Sequence, residues 1–452
     1  MKIGLVQHVA EPGDLSANLR RVVEGCRACT DAGAELIAAP AWALDGVLPG
    51  GLRERSSFLL QAQAALRALA AEVRLPLILP CHAAPPHAGR AEPSLFLLHE
   101  GAVHKLENRS VLPWKGHALY LHVGRDWTPP EQGGTCTCCL HWPTSAWLPG
   151  RPAALRTAAA HAADSLGVPV LIAQALGHSG GRLMPGGSLA AAPRKGVMQL
   201  PLFAPTERVW HAGARYAAAP EAEPGVELLG AVRFYLHSLL QQSGCAGFAI
   251  DATGKRAAFA AALAASAVGA RRVTALVPHD SATPLPFAAR TLSLPPHKAA
   301  PLPALHGALL SATAEAQDLL LLNQSSLSDI LLSTAPGLAA LYGGCAPLGD
   351  MPDASILLLY RALVAELSPA KRALLTAPPA MPPEAERLLY MLAHGYSPAE
   401  LCALYPAASE AELRHMLRRL YRTASAPHPL PARLHLSELS LPLMPPHHRL
   451  VE

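Results

Sequence analysis

Apolar and polar positions along the chain follow two different periods. Short apolar runs, each typical of a buried β-strand, occur at residues 3–6, 36–39, 77–79 and 168–173. Between them, apolar residues recur at spacings of three and four, which is typical of amphipathic helices; Asp14 is placed to cap the first of these helices. The pattern predicts a layered α/β domain in the first half of the chain.

A second series of strands and helices begins near Val226. Apolar runs at residues 248–250 and 272–277 flank the helical stretch Ala257–Val268, which predicts a βαβ unit and a parallel sheet. The segment 278–303 is rich in Pro and His and is predicted to be a linker or a shortened region. After it we predict one core strand, Leu319–Leu322, and helices at 305–317, 353–366, 384–394, 398–404 and 409–422.

Composition narrows the functional classes. The 452 residues are 51% apolar and only 15% charged, with a net charge of +4, so most of the chain is predicted to fold. Lys and Arg form no stripe, which argues against nucleic-acid binding. The longest uncharged apolar stretch, 257–270, is shorter than the roughly 18 residues of a membrane span, so no membrane association is expected. Nine Cys do not make a disulfide framework, and we expect a cytoplasmic protein.

Several short motifs carry a family likeness. In chain order they are Gly33-Ala34-Glu35-Leu36 through Pro40, Leu112-Pro113 with Gly116, Gly167-Val168-Pro169-Val170 through Gly186-Gly187-Ser188, Ala261-Ala262-Leu263 through Arg272-Val273, and Tyr342-Gly343-Gly344-Cys345-Ala346-Pro347-Leu348-Gly349-Asp350. Together they resemble glutamine-dependent NAD+ synthetases. The resemblance implies an N-terminal nitrilase-like α-β-β-α sandwich, the carbon–nitrogen hydrolase (glutaminase-type) domain, followed by a Rossmann-like parallel α/β synthetase domain. The predicted boundaries are 1–222, 223–426 and a Pro/His-rich tail, 427–452.

The glutaminase chemistry implied by this resemblance needs a thiolate nucleophile, a carboxylate base and a Lys near the oxyanion. Ala41 stands where the family has the Glu, and Arg109 stands where it has the Lys. Alanine cannot accept a proton, and a guanidinium is not a compact ammonium. The positions that match the family's glutamine-side acidic residues are also uncharged, namely Ser179, Gly180, Gly181 and Pro185.

Two registers are open for the nucleophile. In one, Cys138-Cys139-Leu140-His141-Trp142 matches the family's cysteine motif, and Cys138 is the nucleophile. In the other, Pro143-Thr144-Ser145-Ala146-Trp147 matches a later strand end, and the family's Cys strand has no counterpart. The second register has the longer gapless run. Either way, the sequence predicts no glutaminase activity.

The predicted ATP loop of the second domain is equally altered. Such loops bind pyrophosphate through backbone N–H groups and a helix N-terminus. By the resemblance, the loop falls on Ala252, Thr253, Gly254, Lys255, Arg256 and Ala257, so both family serines are Ala and the family Asp is Arg256. A second nucleotide-binding segment falls on Leu322-Asn323-Gln324-Ser325-Ser326, without its Lys and Glu, and a further family Asp falls on Ala340.

The sequence therefore predicts a synthetase-like protein without catalysis, a partner or regulator in a homo-oligomer or in a hetero-oligomer with an active paralogue. One alternative keeps ATP, Mg2+ and deamido-NAD+ as ligands and lets Lys255 and Arg256 support amidation with ammonia. Another alternative is a Zn2+ or Cu+ site formed by the soft ligands Cys136, Cys138, Cys139 and His141. Against it, no second CxxC pair lies nearby, and buried thiols are the more common explanation. The sequence by itself assigns no cofactor.

Overall fold

A computed structural model gives the structure of residues 1–47, 52, 55–82, 93–130, 136–217, 223–279, 284–295, 303–332, 344–424 and 434–436. The chain divides into two units, Met1–Ala222 and Glu223–Glu452. The predicted tail, 427–452, lies outside the described residues except for 434–436.

The first unit contains three described helices of more than ten residues: α1 (Leu15–Asp31), α2 (Ser56–Glu72) and α3 (Arg151–Leu166). Its strands are β1 (Lys2–Gln7), β2 (Leu36–Ala38), β3 (Leu77–His82), β4 (Pro93–His99), β5 (Ala102–Leu106), β6 (Ser110–Trp114), β7 (His117–Gly124), β8 (Cys138–Pro143), β9 (Val170–Ile172), β10 (Leu176–Ser179), β11 (Arg182–Pro185), β12 (Leu189–Ala192), β13 (Gly196–Gln199) and β14 (Thr206–His211). The predicted cap of α1 is confirmed, because the Asp14 carboxylate accepts the Ala17 N–H at 2.9 Å.

Two six-stranded sheets organise this unit. Their strand orders are β14-β1-β2-β3-β4-β5 and β13-β12-β9-β8-β7-β6, and β10 pairs only with β11. In each sheet the central strands run parallel: β1, β2 and β3 in the first, and β7, β8 and β9 in the second. Their carboxyl ends therefore lie at one edge of each sheet.

The alternation of side chains along these strands produces the layers. Leu36 and Ala38 of β2 pack in the apolar cluster that also holds Leu140 of β8, whereas Ile37 packs with residues of α1 and α2. On the far side of the second sheet, Cys139 packs with α3. The order helix, sheet, sheet, helix confirms the predicted α-β-β-α sandwich.

The second unit is built on a four-stranded parallel sheet in the order β17-β16-β15-β18. The strands are β15 (Gly247–Asp251), β16 (Val273–Val277), β17 (Arg290–Ser293) and β18 (Leu319–Leu322). The described helices are α4 (Pro224–Ser243), α5 (Ala257–Val268), α6 (Pro303–Ala316), α7 (Leu327–Leu331), α8 (Asp353–Ala365), α9 (Pro369–Arg372), α10 (Pro383–Ala393), α11 (Pro398–Leu404) and α12 (Glu410–Ala424). Leucines of α7, α10, α11 and α12 share one apolar cluster, which forms the helical end of the unit.

The predicted βαβ unit and parallel sheet are confirmed by β15, α5 and β16. One prediction was wrong: the segment 278–303 is not wholly a linker, because β17 pairs with β16 within it. Its sequence, Arg290-Thr291-Leu292-Ser293, is half polar because β17 is an edge strand, so the apolar run that marks a central strand is missing.

Candidate functional site

The loop that the sequence predicted to bind ATP connects β15 to α5. It lies at the carboxyl edge of a parallel sheet, where ligands of α/β proteins bind. The segment that follows β18, with Gln324 and Ser326, reaches the same edge and contacts the loop at Arg256. The structure thus brings together the two described segments that the resemblance assigned to nucleotide binding. The third position, Ala340, lies outside the described residues.

In the loop 252–257, the backbone N–H groups of all residues except Lys255 have acceptors within the protein. Gln324 is central, since its amide oxygen accepts the Arg256 N–H at 3.2 Å and its amide nitrogen donates to the Asp251 carbonyl at 2.7 Å. Other N–H groups also have acceptors: Ala252 donates to Leu276 O, Thr253 to Asp251 Oδ1, Gly254 to Asp251 O and Ala257 to Gly254 O. A phosphate-binding loop directs such groups at its anion. Here five of the six groups are hydrogen-bonded within the protein instead.

The Arg256 side chain lies beneath the loop and is only 1% exposed. Its guanidinium donates to Asp353 Oδ1 at 3.0 Å and to the Pro379 carbonyl at 3.1 Å, and it also pairs with Asp329. A buried cation is tolerated only when anions and hydrogen-bond acceptors surround it. The cation that stands where the resemblance implies an Asp is therefore built into a network of carboxylates.

Lys255, the neighbouring cation of the loop, is likewise paired with a carboxylate, but at the surface. Its side chain is 56% exposed, and its amine pairs with Asp329. Burial opposes ionisation of Asp329, but the hydrogen bonds from Lys255 and Ser326, with the nearby charge of Arg256, outweigh burial and lower its pKa. Asp329 therefore stays ionised and neutralises the cations beside it.

These contacts test whether ATP and Mg2+ fit the site, and the residues present do not fit them. Five of the six backbone N–H groups of the loop are used internally, and Asp329 and Asp353 are paired with Arg256 rather than left for a metal. The Gly254 position is also closed, because a Cβ placed there would lie 2.3 Å from the Gln324 side chain. The structure therefore gives no support to the alternative in which Lys255 and Arg256 form a remodelled ATP site.

In the first unit, Ala41 lies just beyond the carboxyl end of β2 and is completely buried. It belongs to one apolar cluster with Trp42 and Trp142, both at most 5% exposed. The Trp142 indole N–H donates to the Ala39 carbonyl at 2.7 Å and so joins the carboxyl ends of β2 and β8. Where the resemblance requires a carboxylate base, the protein has apolar packing.

Arg109 stands at the position where the resemblance implies the Lys near the oxyanion. Arg109 lies in the turn between β5 and β6 with a φ of 59°, and its side chain is exposed. Lys105, in the neighbouring strand β5, lines a cavity of about 510 Å3 together with Glu107 and Val123. No cysteine is found among the described residues that line this cavity. An amine and a carboxylate are therefore present near the strand ends, but the nucleophile is not.

Cys138 lies away from the strand end at which Trp142 meets Ala39. It is the first residue of β8, whereas Trp142 is near the end that meets β2. Four residues of strand separate them by about 13 Å. Burial, with a smaller effect of Cys136, raises the pKa of the Cys138 thiol, which keeps it protonated and unreactive.

The order of elements is compatible with the second register, which stays a prediction. β8 ends at Pro143 and leads through a short segment into α3 and then β9, as the gapless alignment requires. On the glutamine side, Ser179, Gly180 and Gly181 form the β10–β11 turn and Pro185 ends β11. None of these residues carries a charge.

Strand alternation separates the side chains of the candidate metal site. Successive strand residues point to opposite faces, so Cys138 lies in the core between the sheets while Cys139 and His141 lie on the α3 side. Cys136 and Cys139 approach each other with sulfurs 3.7 Å apart, but no other metal ligand completes the set. Across the described residues, no group of three or more His, Cys, Asp or Glu could hold a metal.

Sequence reasoning did not identify the residues that close the ATP loop, namely Asp329 and Asp353. One signal was available. Ser326-Leu327-Ser328-Asp329 is a capping box, and the structure shows both of its hydrogen bonds at the start of α7. Asp353 carries no comparable local signal, because it reaches Arg256 only through the tertiary fold.

Two solved structures match almost the whole chain. A glutamine-dependent NAD+ synthetase from Cytophaga hutchinsonii has a TM-score of 0.78 at 14% identity, covering 100% of this chain and 98% of that one. The glutamine-dependent NAD+ synthetase from Acinetobacter baumannii, solved with adenosine diphosphate, has a TM-score of 0.69 at 16% identity, covering 96% of each chain. No protein-family model and no curated protein matches.

At these identities the likeness concerns the fold. The chain has the fold of the glutamine-dependent NAD+ synthetases, which confirms the resemblance drawn from the sequence motifs at that level. Among the described helices, none is long and apolar enough to cross a membrane.

Proposed function

We propose that this chain is a non-catalytic protein with the NAD+ synthetase fold that acts as a partner or regulator in an oligomer. The observation that carries the proposal is the buried Arg256 guanidinium, paired with Asp353 and Asp329 in the loop that a synthetase uses for ATP. A protein that kept the adenylation reaction would leave these donors and carboxylates for ATP and Mg2+. The apolar packing around Ala41 supports the same conclusion for glutamine hydrolysis.

The activity test uses the purified full chain with ATP, Mg2+, deamido-NAD+ and either ammonia or glutamine. An active glutamine-dependent NAD+ synthetase, assayed at the same concentration, is the positive control. We expect neither NAD+ nor pyrophosphate above the enzyme-free rate, and no glutamate from glutamine. Formation of NAD+ and pyrophosphate in proportion to the amount of this chain would refute the proposal.

The partner role is tested by mixing the chain with an active paralogue and measuring mass and rate together. The large apolar content and the retained two-domain scaffold support assembly with itself or with such a paralogue. We expect a defined oligomer and a changed NAD+ synthesis rate of the active enzyme. A chain that stays monomeric and leaves that rate unchanged would contradict this role.

We also propose a cytoplasmic location, supported by nine free cysteines.

A further inference from the structure

Three cysteines lie close together at the start of β8, and two of their thiols face each other. The sulfurs of Cys136 and Cys139 are 3.7 Å apart, in range of a weak S–H···S hydrogen bond. Both side chains pack in the apolar cluster on the α3 side, whereas Cys138 packs in the core between the two sheets. Alternation along the strand causes this separation, because neighbouring strand residues point to opposite faces. Of the three thiols, Cys136 and Cys139 are therefore the pair placed to react with each other.

The two thiols of this pair differ in their access to solvent. Cys136 precedes β8 and is partly exposed, whereas Cys139 is completely buried. Burial, with smaller effects of Cys136 and Cys138, raises the pKa of the Cys139 thiol, so this thiol stays protonated at neutral pH. A reagent from solution therefore meets Cys136 first, and Cys139 lies behind it as the second thiol. An accessible thiol beside a second one is the arrangement found at sites of reversible oxidation.

Hydrogen bonds to β7 hold the residue next to Cys136. The Thr137 N–H donates to the Ala118 carbonyl at 2.8 Å, and the Thr137 hydroxyl accepts the Ala118 N–H at 3.0 Å. Pairing of β8 with β7 begins at the next residue, Cys138. A disulfide needs the two sulfurs to approach by roughly a further 1.7 Å. Cys136 lies outside the strand and can make this movement, so the bond can form while the β7–β8 pairing is kept.

We propose that Cys136 and Cys139 form a reversible oxidation site, at which a small-molecule disulfide such as oxidised glutathione converts the two thiols into an intramolecular disulfide. The Cys136 sulfur loses its proton and attacks one sulfur of the reagent, which releases one glutathione thiol. The Cys139 sulfur then attacks the Cys136 sulfur, loses its proton to water and displaces the second glutathione thiol. Two protein thiols are oxidised and one reagent disulfide is reduced. The site does not depend on whether the chain has synthetase activity.

The bond changes the surroundings of one tryptophan. Trp127 packs in the same apolar cluster as Cys136 and Cys139, and its ring lies edge-on to Tyr120 of β7 with centroids 6.2 Å apart. Because oxidation draws Cys136 toward Cys139, it alters the packing around the Trp127 ring. Tryptophan fluorescence should therefore change when the disulfide forms and return when dithiothreitol reduces it.

The experiment incubates the reduced full chain with oxidised glutathione at neutral pH, blocks the remaining thiols with N-ethylmaleimide in urea, and analyses the peptides by mass spectrometry. We expect a peptide that has lost the two thiol hydrogens of Cys136 and Cys139 and carries maleimide on Cys138. Cys26 and Cys29 are the internal control, because they have the same spacing but are both buried in α1. The Cys136–Cys139 bond should form at least about tenfold faster than any bond between Cys26 and Cys29.

Two variants assign the bond to these residues. Cys136→Ser removes the accessible thiol, so Cys139 should stay free and the fluorescence change should disappear. Cys138→Ala, on the opposite face of β8, is the matched control and should form the Cys136–Cys139 bond at the rate of the parent. In the parent chain, a mixed disulfide of Cys136 with glutathione as the final product, a bond between Cys136 and Cys138, or no reaction of Cys136 overturns the proposal.

Discussion

The Arg256 guanidinium donates to the Asp353 carboxylate at 3.0 Å, and the two side chains are only 1% and 6% exposed. The Arg256 of this pair lies in the loop that the sequence resemblance assigns to ATP binding. Two buried charges of opposite sign stabilise each other only while both are present. The pair therefore has a structural role that a ligand-binding loop would not need.

Removing Arg256 should consequently destabilise the second unit. Arg256→Ala leaves Asp353 buried without its cation, and the free energy of unfolding should fall by about 3–5 kcal/mol. Arg414→Ala is the control, since Arg414 forms an exposed pair with Glu410 one helical turn away and its loss should change stability by about 0.5 kcal/mol or less. Denaturant titration of both variants gives the comparison. Equal stability of the two variants would show that the Arg256 network is not needed for the fold.

Restoring the missing base should not restore a glutaminase. Ala41→Glu places a carboxylate in the packed apolar cluster that holds Trp42 and Trp142. We expect a loss of several kcal/mol in unfolding free energy and no glutamate release. Ala64→Glu, at an exposed position of α2, should change stability by about 0.5 kcal/mol or less. An Ala41→Glu protein as stable as the Ala64→Glu control would mean that this region is open rather than packed.

Thiol labelling tests the assignment of Cys138. Because Cys138 is fully buried and its thiol pKa is raised, iodoacetamide should modify the half-buried Cys136, Cys245 and Cys402 first at neutral pH. Mass spectrometry of peptides from briefly treated native protein gives the order, and protein labelled in urea gives complete modification for reference. A Cys138 that reacts fastest in the native protein would be the activated nucleophile that the structure argues against.

Two buried histidines give the first unit a predictable pH dependence. Burial is the main reason that the pKa of His8 falls to about 4 and that of His141 to about 3. The unfolded chain takes up these protons near pH 6.5, whereas the folded chain resists them until lower pH. Stability should therefore be full above about pH 6.5 and decline toward pH 4, by at most about 1.4 kcal/mol per pH unit for each histidine.

The control for this pH effect is His141→Phe, which should remove only part of the slope between about pH 6.5 and 4, since burial also lowers the pKa values of His8 and His122. Unfolding free energies measured at several pH values in parallel for the parent and the variant provide the test. Identical slopes would show that His141 does not contribute, and a parent whose stability is constant over this range would contradict the burial of both rings.

Much of the scaffold could be predicted from the sequence because its signals are local. Asp14 predicts the start of α1, and the apolar run Leu319–Leu322 predicts a buried strand. Gly186 and Gly187 were recognised as part of a family turn, and the structure supplies the reason: both have positive φ, and a Cβ on Gly186 would lie 2.5 Å from the Gln7 side chain. These glycines serve the fold whether or not the site is catalytic.

The sites were harder to predict because they depend on distant partners. The sequence shows that Arg256 reverses a family charge, but not that Asp353, 97 positions later, neutralises it. Likewise, a run of Cys and His suggests a metal site until strand alternation sends Cys138 and Cys139 to opposite faces.

The most direct test of the central claim is a calorimetric titration of the full chain with ATP in the presence of Mg2+, beside an active NAD+ synthetase. Because Arg256 and Gln324 hold the loop's donors and carboxylates, we predict no saturable heat up to about 5 mM ATP. The active enzyme should bind under the same conditions. Saturable, stoichiometric ATP binding by this chain at submillimolar concentration would contradict the account of a nucleotide loop closed by its own side chains.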